Sequence, residues 1–243
     1  MKQNKYDEAR FFSAYEKMPR STKGLEGAGE WHILRKMIPD LRNKSVLDLG
    51  CGYGWHCRYA REQQASSVIG VDISEKMLQK AREMTDDAAI TYLQLPVEDI
   101  DFSDSQFDVI FSSLAFHYIK SFDQLCQKVY RYLKPGGCFL FSVEHPIFTS
   151  REEQDWFYDE HGNRVHWAVD HYQEEGARKT TFLTENVVKY HRTVSTYMNN
   201  LIHAGFIIKE VNEPIPSDEM LKHYPEAKDE LRRPMFLIIS SQK

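Results

Sequence analysis

The sequence predicts an α/β protein, a mostly parallel sheet with helices packed against it, and three observations carry that reading. Short apolar runs ending in an acid or a polar residue alternate with stretches of helical period. Between the first such run and its helix, three glycines alternate through a tight turn. At 243 residues and 42% hydrophobic content, the chain suits one large α/β domain with an insertion.

Residues 7–18 are expected to be helical, with Phe11, Phe12 and Tyr15 on one side and Pro19 as the stop. Residues 20–24 form a linker of small and polar residues, and a second helix follows over 27–37 with Ala28, Trp31, Leu34 and Ile38 on its apolar side. The run 45–49, apolar but for Asp48, has the character of a buried parallel strand. Gly50, Gly52 and Gly54 then turn the chain, and Trp55, Tyr59 and Ala60 begin a helix. Strand, glycine turn and helix in that order let the backbone approach a ligand where a β-carbon would clash. The helix start also leaves unpaired N–H groups facing that ligand. The position a dinucleotide fingerprint reserves for its third glycine holds Trp55, which argues against a pyrophosphate cradle.

A second strand, 67–72, ends in Asp72, about twenty residues past the turn, where such folds place the carboxylate that accepts both ribose hydroxyls. Met77, Leu78 and Ala81 mark a helix ending near Met84, and a third strand covers 90–94. The fourth strand, 107–112, turns polar at the end where α/β sheets bind ligands. Ser121 with Gln124 forms a capping-box pattern ahead of a helix that buries Phe122, Leu125, Cys126, Val129 and Leu133. Residues 134–137 stop that helix, and 138–143 is the fifth strand.

Beyond Pro146 the pattern changes. Residues 148–189 lack a helical period and are rich in aromatics, with strands expected at 156–158 and 164–169 around a turn at 159–163. A helix through Val194, Tyr197, Met198, Leu201 and Ile202 is closed by Gly205. Residues 206–211 form a sixth strand, 214–225 a loop, and 235–241 the last strand.

The stretches VLDLGCGYG (46–54), VIGVDISEKML (68–78), QFDVIFSSLAFHYI (106–119) and LKPGGCFLFSVEHP (133–146) resemble, in unbroken order, the motifs of class I S-adenosylmethionine-dependent methyltransferases. The likeness is to the small-molecule branch that includes the ubiquinone and menaquinone methyltransferases. It implies a Rossmann-like three-layer sandwich with a seven-stranded, mostly parallel sheet, an antiparallel last strand, an N-terminal helical cap and a small antiparallel insertion. One methyltransferase domain would span 1–243: a cap over 1–40, a cofactor-binding core over 41–146, an insertion or lid over 147–191, and a C-terminal helix and strands over 192–243.

S-adenosylmethionine is the implied cofactor. By resemblance, Asp48 lies close to its methionine amino group, while Gly50, Cys51, Gly52 and Gly54 form the loop that gives close backbone approach. Asp72 holds the ribose, and Ile73 and Met77, next along the chain, join the cofactor site. Val97 and Glu98 match the positions along the adenine, Ser112, Ser113 and Leu114 line the methionine end, and Tyr15 belongs to a segment that folds over the cofactor.

Methyl transfer from a sulfonium is an in-line displacement, and holding the nucleophile about 3–3.5 Å from the methyl carbon supplies much of the rate. A hydroxyl or amine acceptor must also lose a proton, which calls for a base. His145, after the fifth strand, is the first candidate, followed by His191 and His117, although a lone histidine is more often structural. A thiol or acidic carbon would need no base. No metal is required by this chemistry, and no ligand-spaced cluster suggests one.

A net charge of −5 and a pI near 6.1 disfavour a nucleic-acid substrate. Cys51, Cys57, Cys126 and Cys138 show no metal spacing and no C-x-x-C pair, so they are expected to be small core hydrophobes. The polar N-terminus and the lack of a long apolar run imply no signal peptide, no membrane partner and a cytoplasmic protein. The acceptor is expected to be a small, partly apolar or aromatic molecule enclosed by Trp156, Phe157, Tyr158, Trp167 and Tyr172 of the insertion. Those rings could instead form a satellite core or the interface of a homodimer. A cofactor-binding protein that transfers nothing is the alternative function.

Overall fold

The computed structural model describes residues 2–243. Ahead of the sheet the chain forms a 3-10 turn (Lys5–Asp7), α1 (Ala9–Tyr15), α2 (Pro19–Thr22), a second 3-10 turn (Gly24–Gly27) and α3 (Trp31–Met37). The two longer helices expected here are thus shorter, and part of the expected linker is helical. Pro19 opens α2 rather than a loop, because proline at the first helical position gives up only an N–H that has no partner there.

Next come β1 (Ser45–Leu49), α4 (Trp55–Glu62), β2 (Ser67–Asp72), α5 (Glu75–Glu83), β3 (Ile90–Gln94), β4 (Phe107–Ser113), α6 (Phe122–Tyr132) and β5 (Leu133–Glu144). Ser121 makes no side-chain cap to α6, so the expected capping box does not form. Its intended partner, Gln124, is turned to the large cavity described below. β5 begins at Leu133, five residues earlier than expected. Its register against β4 jumps from Leu133 to Cys138, and the extruded residues, with Gly136 at φ +77°, bond to Lys243 instead.

The insertion opens with α7 (Pro146–Thr149) and contains two antiparallel hairpins. β6 (Trp156–Tyr158) and β7 (Arg164–Trp167) form the expected one. β8 (Gly176–Phe182) and β9 (Thr184–His191) form a second that the aromatic pattern did not separate. α8 (Val194–Ala204) is capped by the Thr193 hydroxyl and closed by Gly205 at φ +104°. β10 (Ile207–Asn212), α9 (Asp218–His223) and β11 (Phe236–Gln242) finish the chain. α9 occupies residues expected as a loop, and the Ser217 hydroxyl accepts from Met220 N–H at its start.

The sheet order is β10-β11-β5-β4-β1-β2-β3, with β11 antiparallel to both neighbours and the other six strands parallel to one another. Successive residues of the inner strands feed two separate cores, as the period of two requires. Leu47, Ile110 and Phe139 pack with α6 and α8 on one face, while Val46, Val109 and Leu140 pack with α3, α4 and α5 on the other. This is a Rossmann-like three-layer α/β fold. Both faces being covered, the strands are continuous apolar runs whose polar residues collect at the C-terminal ends.

Candidate active site

The glycine turn after β1 is forced by its backbone. Gly50, Gly52 and Gly54 have φ of +77°, +53° and +70°, a region costly for residues with a side chain. A β-carbon on Gly50 would lie 2.5 Å from that of Ala115, and one on Gly54 would lie 2.1 Å from the Tyr92 hydroxyl. Asp72, at the end of β2, fastens the turn to the start of α5. Its Oδ2 accepts from Gly52 N–H at 2.8 Å and its Oδ1 from Ser74 N–H at 2.9 Å. Burial pushes its carboxyl up to about 6, against the lowering effect of those two N–H groups.

A cavity of about 1160 Å³ lies over the C-terminal ends of the parallel strands. Gly50, Gly52, Asp72, Ile73, Met77, Val97, Glu98, Ser113, Leu114 and Tyr15 border it, which brings together ten of the expected cofactor residues. The other four stand off it. Gly54 caps α4 against Tyr92, and Cys51 borders only a smaller recess beside Gly50 and Trp55. Ser112 turns into the sheet and donates to the Leu49 carbonyl at 2.6 Å, while Ser113 and Leu114, expected beside it, face the cavity.

Asp48 does not border the cavity. It points to the α4 face of β1, where its Oδ2 accepts from the Cys57 thiol at 3.3 Å and its Oδ1 has no partner. Burial pushes its carboxyl up to about 7, opposed by the thiol and reinforced by the charge of Asp72.

None of the three candidate histidines borders the cavity. His145 caps α7, accepting from Ile147 N–H at 3.0 Å through Nδ1, while its Nε2 meets Glu213 at 2.8 Å. His191 is held by the Thr149 hydroxyl and the Tyr172 carbonyl, both at 2.9 Å. His117 is buried behind Tyr118, with Glu144 N–H near its Nδ1, and burial takes it down to about 4. Their ring nitrogens are engaged by neighbouring groups of the scaffold.

The residues that do converge there are phenols and an arginine. Tyr6, Tyr15, Tyr118 and Tyr190 border the cavity together with Arg20. The Tyr6 ring packs edge-on against Tyr15 at 5.2 Å and Tyr118 at 6.3 Å. Burial raises Tyr6, Tyr15 and Tyr118 further above a phenol range that already keeps them neutral near pH 7. Arg20 donates to Glu30 at 2.9 Å, and the Ser113 hydroxyl donates to the same Glu30 oxygen at 2.9 Å. Burial pushes Glu30 up, but the Arg20 charge prevails and holds it below the usual carboxylate range. The smaller recess, about 60 Å³, adjoins Arg20, Trp55, His56 and Ser113. Beside it, Trp55 Nε1 and Glu30 Oε2 are buried polar atoms without a partner. Tyr6 and Glu30 carried no motif in the sequence. Only the second of them had any signal, an acid within an otherwise apolar helix start.

The aromatic insertion divides. Val187, Val188 and Tyr190 of β9 border the cavity, whereas Trp156, Phe157, Tyr158, Trp167 and Tyr172 do not. Trp156 and Trp167 instead enclose Arg233, with its guanidinium 4.1 Å from the Trp167 ring centre and 4.9 Å from that of Phe148. That packing corrects the expectation that these rings enclose an acceptor.

A glycine turn fastened by an acid on the next strand, below a cavity on the carboxyl ends of a parallel sheet, defines a class of nucleoside-cofactor proteins. Residues 47–141 match the model of the methyltransferase domain family. A crystal structure of an S-adenosylmethionine-dependent methyltransferase from Mesorhizobium loti is 45% identical, covers 90% of this chain and all of that one, and superposes with a TM-score of 0.85. A Listeria monocytogenes structure, proposed to belong to the same class, is 52% identical over 88% of this chain and 98% of its own, with a TM-score of 0.83. The malonyl-[acyl-carrier protein] O-methyltransferase of Enterobacter lignolyticus is 38% identical over 110 residues, 45% of this chain and 43% of that protein. The chain belongs to the class I S-adenosylmethionine-dependent methyltransferases, and S-adenosylmethionine is its cofactor. None of these matches singles out the quinone-methylating branch. Among the described residues, no helix is long and apolar enough to cross a membrane.

Proposed function

We propose that the chain methylates a carboxylate oxygen of a small acid. The observation that carries this reading is the gathering of hydrogen-bond donors at one end of the cavity. Tyr6, Tyr15, Tyr118 and Arg20 offer hydrogen-bond donors there, and the phenols keep their protons near pH 7. No histidine borders the cavity to act as base. Such a wall suits an acceptor that arrives ionised. Phe11 and Val187 supply apolar surface beside the phenols for the rest of the molecule. The O-methyltransferase relative, whose name gives malonyl-[acyl-carrier protein] as its substrate, adds support from a separate direction.

In this reading Asp72 holds the ribose hydroxyls, Val97 and Glu98 flank the adenine, and Gly50 and Gly52 let the backbone approach. The unpartnered Trp55 Nε1 and Glu30 Oε2, with Arg20 between the recess and the cavity, fit the charged amino-acid end of the cofactor. When bound, the sulfonium supplies an electrophilic methyl: a carboxylate lone pair forms the new C–O bond as the C–S bond breaks and sulfur keeps its electron pair. No proton moves. The tyrosines and Arg20 orient the carboxylate on that axis, each hydrogen bond to the charged group contributing about 1.5–3 kcal/mol.

The test uses methyl-labelled cofactor with octanoate, benzoate and monomethyl malonate. Label released as methanol by mild alkali is the expected result, because methyl esters hydrolyse. Label from a metabolite extract that resists alkali would show a nitrogen, carbon or ether product and defeat the carboxylate reading. Cofactor binding without transfer to any acid or extract component would point to a non-catalytic protein.

A further inference from the structure

Lys2, Gln3, Lys5 and Tyr6 border the cavity as one strap, and this strap is tied to three different walls. Lys2 pairs with Asp99 after β3. At the start of α5, Asp7 accepts from the Ser74 hydroxyl at 2.6 Å and from Lys76 N–H at 3.1 Å. Gln3 reaches the opposite side, where its Oε1 accepts from Val188 N–H at 2.7 Å and its Nε2 donates to the Val188 carbonyl at 3.2 Å. A side-chain amide thus pairs with the outer backbone edge of β9 as a neighbouring strand would.

We propose that Gln3 is a positioning residue for methyl transfer: its clasp on Val188 closes the strap over the bound cofactor and seats Tyr6 against Tyr118. The clasp is exposed on the surface, so both bonds exchange for water at little cost and the strap can open without unfolding the core. Asp7 stays fastened to α5 and serves as the fixed end. Closure therefore completes the cofactor wall and the phenol wall in one movement, and product release requires the clasp to part. This goes beyond the acceptor assignment and stands whichever atom is methylated.

The experiment measures S-adenosylhomocysteine dissociation by stopped-flow fluorescence for the wild type, Gln3→Ala, Gln3→Asn and Gln3→Glu. Release should quicken about three- to tenfold in the alanine variant and as much in the asparagine one, whose amide falls a methylene short. It should quicken further in Gln3→Glu, whose carboxylate opposes the Val188 carbonyl. Ligand-free melting temperatures should not move, which separates gating from a structural role. Hydrogen exchange supplies the second readout, since the Val188 amide should be protected by bound S-adenosylhomocysteine in the wild type and unprotected in Gln3→Ala. Unchanged dissociation in Gln3→Ala and Gln3→Glu, or a Val188 amide indifferent to the ligand, overturns the proposal.

Discussion

Arg20 donates to Glu30 at 2.9 Å, and the acid is the more deeply buried partner: Glu30 is 1% exposed, while Arg20 reaches the cavity. One carboxylate oxygen takes both the Arg20 and Ser113 bonds. The guanidinium is thus anchored from below, with donors left over for a ligand.

Removing the cation should leave that acid stranded. Arg20→Ala is expected to cost roughly 3–5 kcal/mol in urea unfolding, the usual penalty for breaking a buried pair from one side. Glu30→Gln, which keeps a contact to Ser113, should cost less. Calorimetry should also show S-adenosylhomocysteine binding at least about tenfold weaker in Arg20→Ala. An Arg20→Ala protein as stable as the wild type would mean that water satisfies Glu30.

Asp72 should make cofactor affinity pH-dependent. With its carboxyl at about 6, the acceptor charge is present above pH 7 and lost as pH falls through 6. Binding of S-adenosylhomocysteine should therefore weaken from pH 7.5 to pH 5.5. Asp72→Asn should bind about 10- to 100-fold more weakly at pH 7.5 and lose most of that dependence. A parallel pH profile in wild type and Asp72→Asn would remove Asp72 from the binding step.

Asp48 makes a stability prediction of opposite character to an ordinary ion-paired acid. Its folded-state carboxyl is raised to about 7, above the unfolded value of 3.8, so between those values only the folded protein holds the proton. Its contribution then falls as pH rises from about 4 to 7 and is flat beyond. The difference in unfolding free energy between Asp48→Asn and wild type, without cofactor, should shift in favour of the variant by up to roughly 3 kcal/mol between pH 4.5 and pH 8. A pH-independent difference would show that Asp48 is ionised throughout.

The β6–β7 hairpin should be dispensable for the cofactor. Phe157 is 57% exposed, and the hairpin's rings gather around Arg233 away from the cavity. Replacing residues 158–165 by a short glycine linker should leave S-adenosylhomocysteine affinity within about twofold, because surface changes of this kind are usually worth less than about 0.5 kcal/mol. Substituting Tyr190 or Val187 on β9 should alter acceptor turnover instead. A large loss of cofactor binding on trimming the hairpin would mean that it supports the cavity wall after all.

Most of the parallel sheet was legible because both its faces are buried. Apolar runs such as 68–71 and 107–111 have no other stable use, and the glycines between β1 and α4 admit few alternatives. Legibility failed where side chains, rather than backbone, decide the outcome. Ser112, Ser113 and Leu114 were expected together at the methionine end, and only the strand's period of two turns Ser112 away from the cavity. His145, His191 and His117 carry the right chemistry, but their neighbours take up their ring nitrogens. Tyr6 and Gln3 could not be found from local pattern, since their partners Tyr118 and Val188 lie more than a hundred residues on.

The place of β11 between β5 and β10 has a bearing on how the protein is made. An inner strand supplied by residues 236–242 means that the sheet remains open until the ten strands before it have been synthesised. Until then β5, with Phe139, Phe141 and Val143 along it, presents an unpaired apolar edge, and β10 has no sheet to join. Nascent chains stalled before β11 are consequently candidates for chaperone capture or edge-to-edge aggregation, and the final hairpin acts as the closing stitch of biosynthesis.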